Sequence, residues 1–179
     1  MMRYAILLFS LIAISCTHTY ERIETRDVLP ANKLEKACKI YISIPKDGVY
    51  GPHHYHGSGQ MTAIAIRNAS LRYTNEVVIS TNQQPFQKSI AVSKDKGFDY
   101  YIHPTILHWE DRRTEWSGRR DRIEVKIAIY NVTTGKELDS VVIKGKSRWA
   151  TFGGDHPQDL LRQPINEYVS TLFDGKPKD

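Results

Sequence analysis

Apolar residues recur along this chain with two periods, and the alternation between them divides it into strands and helices. Two-residue alternation is plainest at 122–131. There Ile123, Val125, Ile127 and Ile129 share one face, and Glu124, Lys126, Ala128 and Tyr130 the other. One buried face and one wet face predict an antiparallel strand. Val132-Thr133-Thr134-Gly135-Lys136 then turns the chain onto a second strand over 137–144. Cys38, Ile40, Ile42 and Ile44 alternate in the same way and predict an earlier strand over 39–44, ended by Pro45-Lys46-Asp47-Gly48. Shorter strands are expected at 76–80 and at 99–107, the latter with Pro104 marking an edge or a bulge. Residues 51–59, rich in Gly and His, read as a loop.

Three segments carry the helical period. The first is 60–73, with Ser58 as N-cap and Met61, Ile64, Ala65, Asn68 and Ala69 on one face. The second is 86–96, stopped by Gly97. The third follows Asp155-His156-Pro157-Gln158 and carries Leu161, Ile165, Tyr168, Val169 and Leu172 as a stripe. Pro164 inside it predicts a kink, or a fresh helix starting there. The order predicts an α/β fold bordering on α+β: a single-layer mixed sheet with a parallel βαβ start, an antiparallel C-terminal hairpin, and helices packed on it.

The first fifteen residues follow a different logic. Arg3 supplies a charge, Tyr4 to Ile14 is almost wholly apolar, and Ala13-Ile14-Ser15 leads to Cys16. This is the pattern of a secretory signal peptide, and the run is shorter than the ~20 residues of a transmembrane helix. The cysteine at the junction resembles the lipobox of bacterial lipoproteins, although Ala13 stands where a leucine is usual. That resemblance implies cleavage before Cys16 and lipid on its sulfur. Thr17 in place of an aspartate implies an outer-membrane anchor. The expected organisation is a signal peptide at 1–15, a lipidated N-terminus and tether at 16–35, one domain at 36–174 and a disordered tail at 175–179. A coil from 17 to 34 would reach at most about 60 Å.

Composition narrows the classes. At 40% hydrophobic and 25% charged the chain is ordinary for a globular domain. Its net charge of +5 is scattered rather than gathered in a stripe, so no nucleic-acid partner is expected. Lipid on Cys16 would leave Cys38 alone, and its place in an alternating apolar run reads as a core position.

Three clusters are candidates for chemistry. His53, His54 and His56 are potential Zn or Cu ligands, although adjacent residues point apart and no carboxylate stands nearby. Gly57-Ser58-Gly59 precedes a helix but matches neither a phosphate loop nor a dinucleotide fingerprint, so no cofactor is implied. Between Trp109 and Arg122, five arginines stand against Glu110, Asp111, Glu115 and Asp121, close to balance. This reads as an ion-pair lattice with the two tryptophans beneath it, or as a protein-partner surface built on Trp109, Arg112, Trp116 and Arg119.

These stretches also carry a resemblance. Trp109-Glu110-Asp111-Arg112, then Glu115 to Glu124, Thr151-Phe152, Pro157 to Leu161 and Pro164 to Tyr168, with Asp47-Gly48 and Gly57-Ser58-Gly59, resemble a family of small bacterial lipoproteins classed only as a domain of unknown function. The resemblance spans about Cys38 to Phe173 and assigns no catalytic residue. The element order is more loosely similar to the TolB amino-terminal domain and the curli-secretion lipoproteins. The expected function is a non-enzymatic accessory lipoprotein, held at the outer membrane through Cys16 and facing the periplasm, with an envelope protein as partner. The alternatives are an envelope metal-dependent hydrolase using the His53-His54-Tyr55-His56 loop and a soluble periplasmic binding protein.

Overall fold

A computed structural model describes residues 19–24, 34–111, 121–147 and 156–173. Eight strands and three helices are found among them: β1 (Thr19–Glu24), β2 (Lys39–Ile42), β3 (Gly48–Tyr50), β4 (His53–Tyr55), α1 (Ser58–Ser70), β5 (Glu76–Ile79), α2 (Phe86–Asp95), β6 (Tyr100–Glu110), β7 (Arg122–Asn131), β8 (Glu137–Lys146) and α3 (Asp159–Leu172). Six strands form one sheet in the order β1-β8-β7-β6-β2-β5, and β3 and β4 form a separate hairpin. β2 lies parallel to β5 and β6, whereas the β6-β7-β8-β1 run is antiparallel. The fold is therefore mixed α/β, with the parallel start and antiparallel hairpin that the pattern predicts.

The alternating strand behaves as read. Ile123, Val125, Ile127 and Ile129 are buried on one face. They join Ile40, Ile42, Ile102, Val141 and Ile143 beneath α1 and α3 in the main core. The opposite face is less wet than expected near β2, because α2 covers it. Tyr41, Phe98, Tyr101 and Val132 make a second, aromatic core there, with Phe86, Ile90 and Tyr130 against it.

Five expectations are corrected. Residues 19–24, read as part of a flexible tether, form an edge strand paired with β8 from Thr19↔Lys146 to Glu24↔Val141. Leu34, also assigned to the tether, is buried and bridges to Phe173. The 51–59 segment is not all loop, because β3 and β4 pair across it. The helix α1 presents a different face from the one expected: Thr62, Ala63, Ile66, Ala69 and Ser70 are buried, while Met61 and Ile64 are exposed. Finally, α3 runs through Pro164 as one helix, which overturns the fresh start expected there and not the kink. A proline there removes the bond of its own nitrogen and crowds the Leu160 carbonyl, and its neighbours Leu161, Ile165 and Tyr168 hold the helix by burial. Pro104 sits in β6 beyond Ile102, where pairing with β2 has ended, so that side is locally an edge. The register shift between Ile106 and His108 is a bulge.

Cys38 is a core residue at 4% exposure, and burial pushes its thiol up to about 11. A thiol that stays protonated is a poor nucleophile. We expect iodoacetamide at pH 8 to leave Cys38 unmodified in the folded protein and to alkylate it in denaturant, as read by mass spectrometry. Alkylation at the same rate in both states would show that the site opens.

Candidate functional site

The βα connection after β2 is built around Asp47. Its Oδ1 accepts the Gly59 N–H at 2.8 Å, and its Oδ2 accepts the Gly57 N–H at 3.1 Å. A carboxylate is the partner that the positive end of a helix favours. The N-terminus of α1, which the Gly57-Ser58-Gly59 sequence offers to an anion, is thus already held by the chain's own Asp47. The N-cap is Gly57, at φ +86°, a left-handed conformation that glycine adopts without strain. Ser58, expected as the cap, instead accepts the Gly48 N–H at 2.8 Å. Asp47, Gly48, Gly57, Ser58 and Gly59 form one clasp, which gives that part of the family resemblance a structural cause.

The histidines of the adjacent hairpin do not converge. His53 and His54 are consecutive residues of β4, and consecutive strand residues point to opposite faces. The rings of His54 and His56 stack with centroids 6.3 Å apart. Among the described residues, no three His, Cys, Asp or Glu side chains are grouped to hold a metal ion.

Of the candidate partner surface, Trp109 is described and it is buried, at 2% exposure. It stands on the core face of β6, with its Cβ over Gly48. Trp109 is therefore a core residue and not an exposed contact residue. Cys16, Arg112, Trp116 and Arg119 lie outside the described residues.

Two other features were not singled out by the sequence. One is a groove of about 750 Å³ between α1 and α3, lined by Met61, Ile64, Ala65, Asn68, Arg72, Gln158, Leu161, Arg162 and Asn166. Met61 and Ile64 stand 40% and 42% exposed on its α1 side. The other is a crevice of about 620 Å³ beyond the carboxyl end of β2, bounded by the β5–α2 connection and β6.

His103 lines this crevice. Behind it the Tyr101 hydroxyl lies 2.8 Å from His103 Nδ1 and 3.0 Å from Ser43 Oγ, and Ser43 Oγ lies 3.2 Å from the same ring nitrogen. Burial pushes the His103 pKa down, with Lys126 adding to the effect, so the ring is neutral at pH 7. Burial also raises the Tyr101 hydroxyl above its ordinary value. The trio comes together because Tyr41 is registered with Tyr101, which sets Ser43, Tyr101 and His103 on one face of two neighbouring strands. Nothing in the local sequence reveals that register.

A mixed α/β domain whose βα clasp and sheet are built this way defines a structural class, and the sequence then identifies the family. Residues 32–172 match the family described as Domain of unknown function (DUF4823), and the chain belongs to it. No curated protein sequence matches the chain. Among solved structures it is similar to the PelC dodecamer from Paraburkholderia phytofirmans, with 12% identity over 89% of this chain and 100% of that one, at a TM-score of 0.62. A variant of the same PelC gives 13% identity over 87% and 98%, at 0.58. Lipoprotein GNA1162 from Neisseria meningitidis gives 14% identity over 75% and 97%, at 0.40. At these identities the PelC likeness shows the fold alone, and the third, looser one adds nothing to it.

Proposed function

We propose that the chain is a non-enzymatic accessory lipoprotein of the bacterial envelope. Cys16 carries the lipid, the anchor lies in the outer membrane with the domain facing the periplasm, and a partner protein docks in the α1–α3 groove. The observation that carries the docking part is the second apolar stripe of α1. Met61 and Ile64 are large, exposed and adjacent, and they face a groove that also contains Arg72 and Arg162 and no carboxylate among its described lining residues. An apolar floor with two guanidinium groups fits an acidic amphipathic segment, by the same physics as helix-in-groove recognition. The anchor reading rests on the residues before Cys16. With lipid on Cys16, β1, which begins three residues later, would stand about 10 Å of chain from the membrane anchor.

The test joins the two parts. Cys16→Ala is expected to abolish palmitate incorporation and move the protein from the membrane to the soluble fraction with its melting temperature unchanged. In cells, a photo-crosslinker at Ile64 is expected to capture one partner, and Arg72→Glu with Arg162→Glu to lose it. Palmitate-free protein that still sediments with membranes would refute the anchor. Crosslinking unaffected by both charge reversals would refute the groove. A second reading follows from the description of the similar PelC structures as dodecamers: the occupant of the groove is another copy of this chain. In that case the crosslinked product is a dimer of the chain itself.

A further inference from the structure

We propose that the crevice beyond the carboxyl end of β2, beside the middle of β6, is a binding site for a carboxylate with an amide N–H beside it, the chemistry of an N-acylated amino acid or a peptide C-terminus. The proposal goes beyond the docking groove and does not depend on it.

The first argument is position. The chain leaves β2 through α1 to reach β5 on one side, then returns through α2 to reach β6 on the other. α1 packs on one face of the sheet and α2 on the opposite face. The strand order therefore reverses at β2, and the crevice outside its carboxyl end is the place where open α/β sheets hold ligands. Its volume of about 620 Å³ suits a small molecule or the end of a chain.

The second argument is the set of polar groups that line it, together with Ser43 and Tyr101 buried behind His103. Ser43 and Tyr101 are buried, so their hydroxyl protons need acceptors. Every proton of the trio is used when Tyr101 donates to Ser43 and Ser43 donates to His103 Nδ1. That arrangement leaves the ring proton on Nε2, which has no partner among the described residues and belongs to a side chain lining the crevice. Phe86 packs edge-on against the ring at 5.3 Å and fixes its plane.

Gln84 supplies the opposite polarity. Its Nε2 donates to Asn82 Oδ1 at 2.7 Å, while its Oε1 is buried with no partner among the described residues. A buried carbonyl in this state needs a donor. Lys46 adds a positive charge at the rim and Thr105 a hydroxyl, while Asp47, the one carboxylate in the described lining, is engaged by Gly57 and Gly59. Donors at His103, Thr105 and Lys46 call for an anion, and the lone acceptor at Gln84 calls for an N–H on the same fragment. Phe86 and Pro104 give that fragment an apolar wall.

The probe is N-acetylalanine, titrated into the detergent-solubilised full chain and read by saturation-transfer NMR and by the His103 ring nitrogen shifts. Saturable binding is expected, with the Nε2 signal moving. N-acetylalaninamide, which lacks the carboxylate, and acetate, which lacks the N–H, are each expected to bind at least about tenfold more weakly. Gln84→Leu and Lys46→Gln are expected to weaken N-acetylalanine binding by about fivefold or more without shifting the melting temperature. Three results would overturn the site: no saturable binding, acetate binding as well as N-acetylalanine, or affinity unchanged in both variants. Equal binding by lactate would move the assignment from an amide to a hydroxyl donor and would likewise refute the proposal.

Discussion

Replacing Gly48 with alanine is expected to destabilise the domain by about 3 kcal/mol, the upper part of the range for overpacking a filled core. A Cβ at position 48 would lie 2.3 Å from Trp109 Cβ, 3.0 Å from Trp109 Cγ and 3.3 Å from Ile106 Cγ2. None of these atoms is the loose end of a side chain, so either β3 or β6 must move. β6 is paired with β7 at both residues, Ile106 with Val125 and Trp109 with Ile123, and does not yield cheaply. β3 carries Gly48 N–H bonded to Ser58, so its displacement also loosens the clasp at the start of α1. Domains of this size are stable by about 5–15 kcal/mol, so the loss is a large part of the whole. Urea unfolding followed by circular dichroism measures it, with Val49→Ala as the control. Val49 is 49% exposed in the same strand and its truncation is expected to change stability by less than about 0.5 kcal/mol. Equal midpoints for Gly48→Ala and Val49→Ala would show that the β3–β6 contact is not close-packed.

The difference between what could be read from the chain and what could not has a consistent cause. The strand at 122–131 was legible because its face is decided by one sheet and one solvent boundary, and four branched residues at period two leave a single solution. The inner face of α1 was not. Met61, Ile64, Ala65 and Ala69 form one stripe, and Ala63, Ile66 and Ala69 form another. Large residues attract the assignment, yet small ones are what a helix needs to lie close over a sheet. The structure uses the small set, with Thr62 hydroxyl bonded back to the Ser58 carbonyl. Met61, Ile64 and Ala65 are left for the groove.

Residues 19–24 were illegible for a related reason. Their charges read as tether because an edge strand over a half-wet sheet carries alternating polar residues, and pairing with β8 is set by a partner more than a hundred residues away. The same holds for the crevice. Ser43, Tyr101 and His103 are unremarkable in sequence and become a unit only when the β2–β6 register is known. Asp47 and the three glycines near it were visible as a motif. Their purpose was not, since an anion-binding reading and an internal clasp place the same residue types at a helix start.

Trp109 is where the two readings of the Trp- and Arg-rich segment separate by experiment. Trp109→Ala is expected to lose about 3–5 kcal/mol, the cost of emptying a large aromatic from a core. Its 2% exposure and its seat over Gly48 and beside Ile106 leave neighbours that cannot close the void without moving β3. A contact residue would behave in the opposite way, with stability unchanged and partner crosslinking lost. The melting temperature decides: for a domain of this size the loss corresponds to a fall of roughly 6–20 °C. The fall should persist in the Cys16→Ala background, because packing within the sheet does not depend on the anchor. A Trp109→Ala protein that melts within about 2 °C of the parent would return this residue to the surface and reopen the partner reading for it. The same experiment on Gly48→Ala is expected to give less than the sum of the two effects when both changes are combined. Without the indole, β3 has room to shift and take up the extra methyl, which is the coupling that residues sharing one contact must show.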